Sequence, residues 1–218
     1  MNAPYRVSSL AFAFVRMWRG WRIIVPAIVL NALIQALLIW PPFTYGSGVW
    51  TMLSAVVSAI AMAVWFAAIA ASALKVADGP VQWADVVPAI RENATRYLVW
   101  TLVWGVAVAI GFALTVVPGI VIIALTPFLA IAVLDGQANP LRANFEVIRA
   151  RLGRWLITIA LVMLLGVICW DIAGFTAFFL RGPIATLLVW LAGGWLVTWF
   201  VTAFGLIYGG ARTSASDQ

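Results

Sequence analysis

Six long apolar runs, separated by short gaps that hold most of the charge, constrain this chain more than any other feature. About 20 apolar residues in a helix cross a hydrocarbon core about 30 Å thick. The runs cover about 23–40, 49–74, 97–117, 118–134, 155–179 and 184–208. A water-soluble domain is roughly half apolar and a quarter charged. Here 65% of the 218 residues are hydrophobic and 9% charged, too much apolar surface for a chain of this size to bury in its own core. The expected fold is all-α: one polytopic membrane domain over residues 1–218, with six transmembrane helices in three hairpins. The fourth run is short and contains Pro127, which predicts a kink or local bilayer thinning.

The gaps set the orientation. With both termini inside, six spans put Arg6, Arg16, Arg19, Arg22, Lys75, Arg91, Arg96, Arg142, Arg149, Arg151, Arg154 and Arg212 on the cytoplasmic face, and leave only Arg181 outside. That asymmetry follows the positive-inside rule. It also argues against nucleic acid as the partner implied by a net charge of +6, because no soluble domain carries the basic residues. Arg outnumbers Lys twelve to one and Ala is abundant, a composition expected of a GC-rich bacterium and hence of its plasma membrane. The N-terminal 22 residues read as an amphipathic segment and not as a signal peptide: the apolar stretch is short, and Arg16, Arg19 and Arg22 follow it.

The inner gaps have a pattern of their own. In residues 133–155, Leu141, Phe145, Ile148 and Leu152 share one helical face, while Arg142, Glu146 and Arg149 share another. Asn139 suits an N-cap and Pro140 the first helical position. This predicts an interfacial amphipathic helix, apolar face down, with arginines reaching for phosphates. Residues 78–98 look alike, with Trp83, Val86, Val87, Ile90 and Tyr97 on one face and a break expected at Pro88. The N-terminal segment offers Val7, Leu10, Phe14, Trp18 and Trp21. Asp78-Gly79 aligns with Asp135-Gly136, and Arg96-Tyr97-Leu98 with Arg154-Trp155-Leu156, which suggests three units, each an amphipathic helix followed by a hairpin. Trp18, Trp21, Trp83 and Trp155 mark the inner interface; Trp40, Trp50 and Trp170 mark the outer one. Trp65, Trp190 and Trp195 lie deeper, and Trp100 and Trp104 share a face.

Pro118-Gly119, Asp135-Gly136, Ala143 and Arg154-Trp155 carry a resemblance. Over residues 76–170 the chain resembles six-span bacterial families that include the YciC-like proteins, and is similar to the membrane domain attached to some glycerophosphodiester phosphodiesterases. The resemblance implies a six-span inner-membrane fold. It implies no active site, because nothing in these residues corresponds to the phosphodiesterase catalytic domain.

Few residues suggest chemistry. Asn31 and Gln35 share a face near mid-span, either as a ligand contact or as an interhelical hydrogen-bonding pair. Asp171 falls near the outer interface, where it is either a proton or cation site or a carboxylate paired with Arg181 or a headgroup. Arg142, Arg149, Arg151 and Arg154 are candidate anionic-lipid contacts. Ala55, Ala59, Ala63, Ala67 and Ala71 form a row of small residues, and Gly205 and Gly209 a GxxxG, suited to packing within the chain or between copies. The chain has no histidine, and its one cysteine, Cys169, sits in an apolar run. No catalytic residue, metal or cofactor is expected. The reading is a non-enzymatic membrane protein acting through a protein partner, a second copy or envelope lipids. The alternative is a small transporter or flippase of an amphiphile.

Overall fold

The computed structural model describes residues 8–39, 48–179 and 182–216. Arg6, Val7, Trp40, the expected outer loop before residue 48 and Arg181 lie outside the described residues, as does the side chain of Trp170.

Every regular element among the described residues is helical. These are α1 (Ser8–Met17), a 3-10 turn (Trp18–Gly20), α2 (Trp21–Leu38), α3 (Gly48–Lys75), α4 (Trp83–Leu114), α5 (Val116–Leu125), α6 (Leu129–Leu134), α7 (Pro140–Ala150), α8 (Leu152–Phe179) and α9 (Pro183–Ser216). Among the described residues, five stretches are long and apolar enough to cross a membrane: Leu10–Leu38, Gly48–Lys75, Trp83–Leu114, Leu152–Gly174 and Pro183–Arg212. The sixth expected span, 118–134, is instead the two short helices α5 and α6, separated at Thr126-Pro127-Phe128.

Helix ends depart from the sequence reading in three places. Pro88 does not break its helix. α4 runs through it for 32 residues, held at its start by reciprocal capping between Gln82 and Asp85. Pro88 deletes one backbone bond on the exposed side of the second turn, too little to undo a helix anchored on both sides. The reversal into α5 is not made at Pro118-Gly119 either. Thr115 alone makes it, extended at φ −162° and ψ 163°, and Pro118 lies in the first turn of α5, where its missing N–H costs nothing. The paired turns also differ. Gly136 ends α6 at φ +76°, with Gln137 N–H donating to Ala132 O (3.1 Å) and Gly136 N–H to Val133 O (3.0 Å). This is a Schellman cap, which needs glycine in the left-handed region. Gly79 does not adopt that conformation, so the two turns share letters and not geometry.

The core sits at the end of the bundle that carries the basic residues. Phe128 and Leu129 to Leu134, except half-buried Ala130, are buried there. α6 packs against α3, α4 and α7. Phe128 meets Phe204 edge to face at 5.4 Å. α9 lies against α1, α2 and α3. A Cβ on Gly205 would fall 2.6 Å from Ala73 O, so the close approach of α9 to α3 requires glycine. Nothing comes within 4 Å of the same position on Gly209. The first half of the GxxxG therefore serves close packing of helices within the chain, and at the second half a side chain would have open space. In the alanine row, Ala67 and Ala71 are buried, whereas Ala55 and Ala59 are exposed.

Candidate functional site

The break between α5 and α6 frees the last four carbonyls of α5, as any helix end does, and Pro127 has no N–H to return to one of them. All four are met. Ile122 O accepts from the Thr126 hydroxyl (2.6 Å), and Ile123 O from the Thr126 N–H (3.4 Å). Ala124 O accepts from Trp155 Nε1 (3.1 Å), and Leu125 O from Asn144 Nδ2 (2.8 Å). Trp104 Nε1 donates to the Thr126 oxygen (2.8 Å). Asn144, with no exposed surface, also accepts from the Phe128 N–H at 3.0 Å. One side chain on α7 thus joins the two ends of the broken helix. Unmet backbone groups in lipid cost several kcal/mol each, which explains why a polar residue is fully buried here.

Asn144 was not legible as such, since the helical pattern of 140–150 reads as a surface collar. The helix forms as expected, with Asn139 Oδ1 accepting from the Arg142 N–H (3.0 Å) and Pro140 at its first position. The face differs. Pro140, Asn144, Val147 and Ile148 are buried against the bundle, whereas Leu141 and Phe145 are exposed. The row at i, i+4 from Pro140 through Asn144 and Ile148 was the available signal. α1 behaves similarly: Leu10, Ala13 and Met17 are buried. Phe14 and Trp18 lie half outside, against Trp199 (5.8 Å) and Trp195 (5.2 Å) of α9. Of the second segment, Val86 and Tyr97 are buried and Trp83 and Val87 exposed.

The four candidate lipid-contacting arginines separate. Arg142 and Arg149 are exposed, and Arg142 forms an exposed ion pair with Glu146 at 2.8 Å. That carboxylate raises the Arg142 guanidinium above its ordinary range. Arg151 instead donates to Gly210 O (2.8 Å), tying the end of α7 to α9. Arg154 lines a cleft. In α2, Gln35 accepts from the Ser58 hydroxyl at 2.8 Å, and its Nε2 lies 3.4 Å from both Asn31 Oδ1 and Ser58 O. The pair therefore cross-links α2 to α3. Asp171 is exposed on α8.

The cleft, about 740 Å³, opens where the ends of α3, α6 and α9 and the starts of α4 and α8 meet. Asp135, the last residue before Gly136, accepts from the Tyr208 hydroxyl (2.9 Å), Gln137 Nε2 (2.8 Å) and Arg212. Opposite, Arg96 bonds Gln137 O, and Asn93 Nδ2 donates to Leu134 O (3.3 Å). Arg16 donates to Ala77 O (2.7 Å) across the same end. Acids, bases and apolar side chains thus meet in one depression.

Helical architecture and five apolar helices of membrane-crossing length define the class: a multi-pass integral membrane protein. No family model, curated protein or solved structure matches the chain.

Proposed function

We propose that this protein is a non-enzymatic accessory protein of the bacterial plasma membrane, of the YciC-like type, acting through lipids held at its basic end. In this reading α5 and α6 together make a sixth crossing, both termini are cytoplasmic, and α7 lies in the inner interface. The observation that carries it is the cleft, where charged groups and apolar walls converge, with Arg142 and Arg149 exposed on α7. That combination suits amphiphiles, and basic residues near an anionic surface contribute about 1 kcal/mol each.

The transporter alternative draws on the broken helix, since discontinuous helices often hold substrate with their freed backbone groups. Here the carbonyls that such a site would use are taken by Thr126, Asn144 and Trp155, which favours the accessory reading.

Native mass spectrometry of the gently extracted full chain tests it. Phospholipid retained reproducibly supports the reading, and loss of anionic lipid in Arg142→Gln/Arg149→Gln assigns that lipid to α7. A chain that emerges free of lipid and bound only to a second copy or another protein overturns the lipid role.

A further inference from the structure

The 3-10 turn Trp18–Gly20, where α1 passes into α2, is pinned from behind. Gly20 is buried, and a Cβ there would fall 3.0 Å from Ile24 Cδ1 and 3.8 Å from Ser72 Cβ on α3. Arg19 O accepts from the Val81 N–H at 2.9 Å. Side chains three apart are neighbours on a 3-10 turn and on the helix that follows it. With Gly20 turned to the bundle, Trp18 and Trp21 share one outer edge and Arg19 and Arg22 the next, and all four are exposed.

Neither guanidinium is spent within the described residues. Arg16, one turn earlier, donates to Ala77 O. Arg19 and Arg22 have no hydrogen bond or ion pair from their side chains among the described residues, and Arg22 lies only over the ring of its neighbour Trp21, 5.8 Å from the centroid. No Asp or Glu occurs in residues 8–77 or 183–216, which hold α1, α2 and the helices packed on them, α3 and α9. Asp78, the one acid of the loop behind the turn, lines the cleft. The turn is therefore a basic face without acids. The cleft mixes acids with bases, and on α7 Arg142 is paired with Glu146.

Depth and chemistry agree on an occupant. Arg22 and Leu38 are about 24 Å apart along α2 at 1.5 Å per residue, and the hydrocarbon core is about 30 Å thick. With Leu38 at the far boundary, Arg22 falls within a side chain's length of the near one, where cationic side chains reach for headgroups. Guanidinium N–H pairs match phosphate oxygens, and two guanidinium groups three residues apart take one phosphate between them. A zwitterion would add an ammonium, which finds no carboxylate on these helices and meets the repulsion of two arginines. The Trp18 ring lies 5.2 Å from that of Trp195 on α9, a flat apolar wall for an acyl chain.

We propose that the turn between α1 and α2 binds an anionic phospholipid, its phosphate between Arg19 and Arg22 and its chains along Trp18 and Trp195. This rests on the lipid-associated reading and adds a site that uses neither Arg142 nor Arg149.

The test titrates the full chain in detergent with phosphatidylglycerol and, separately, with phosphatidylethanolamine of identical chains, and counts bound lipid by native mass spectrometry. The natural chain should retain phosphatidylglycerol in preference. Arg19→Gln/Arg22→Gln should weaken that retention roughly thirtyfold, the factor for two lost arginines near an anionic group, with an unchanged melting temperature because both side chains are exposed. The same loss should appear when the pair is added to Arg142→Gln/Arg149→Gln. Undiminished retention of phosphatidylglycerol by Arg19→Gln/Arg22→Gln, or equal retention of the two lipids by the natural chain, overturns this site and leaves the lipid-associated reading standing. Retention of no phospholipid overturns both. Release of the lipid by an equal concentration of inorganic phosphate would give the turn to a free anion and overturn the phospholipid.

Discussion

The two halves of α3 are almost equally apolar and yet live differently. From Trp65 to Ala73 every residue but Phe66 is buried. Toward the other end, Val49 and Met52 are each 73% exposed and Ile60 is 59% exposed. The same contrast runs through the bundle, with Leu102 and Leu114 of α4 and Leu164 and Val167 of α8 exposed far from the basic end. Hydrophobicity cannot make this difference, because lipid tails are as apolar as leucine. Small residues and hydrogen bonds can. The buried half of α3 reads Ala67-Ala68-Ile69-Ala70-Ala71-Ser72-Ala73 and receives α9 through Gly205. Tyr97 donates to Ala63 O at 2.9 Å, where that half begins.

The contrast breaks most severely at Asn144. Asn144→Leu strands Leu125 O and the Phe128 N–H, and should destabilise the protein by about 2–6 kcal/mol at 1–3 kcal/mol for each orphaned group. Thermal melting in detergent measures this. A change as small as that of a lipid-facing substitution would show that the stitched break does not hold the basic end. Ile69 and Ile60 of one helix give the matched pair. Ile69→Ala should cost about 2 kcal/mol, the low end for a buried residue, since lipid replaces water in the transfer term. Ile60→Ala should stay within about 0.5 kcal/mol. Equal effects would place a second packed surface on the far half. Gly205→Val should cost about 1–3 kcal/mol by overpacking against Ala73, and Gly209→Ala should leave melting unchanged. Gln35→Leu should cost about 0.6 kcal/mol, the value for an interhelical bond in a membrane. A larger effect would mean that the far half is held together at Asn31, Gln35 and Ser58.

The positions of the long apolar helices were legible because a membrane demands long apolar runs whatever the partners. The expected 49–74 is found as Gly48–Lys75, and the expected 155–179 lies within Leu152–Phe179. The kink at Pro127 was legible for the same local reason, since proline removes a donor wherever it falls. Pro88 misled because its effect depends on what anchors the helix on either side. The site was less legible. Asp135 meets Arg212 across 77 positions and Tyr208 across 73, and no local periodicity encodes such distances. Arg151 and Arg142 look alike in sequence, and only the neighbouring carbonyl of Gly210 separates a tether between helices from an exposed arginine paired with Glu146 on its own helix.

The stitched break also has an order in time. Ala124 and Leu125 leave the ribosome before the groups that complete them, Trp155 by 31 positions and Asn144 by 19. At about 5–20 residues per second, the nascent hairpin of α4 and α5 must wait on the order of seconds for its partners. During that interval its open carbonyls need substitutes such as water, headgroups or the insertion machinery. Maturation of this protein therefore turns on the arrival of α7, and a premature stop before Asn144 would leave an inserted but unfinished segment for quality control to find.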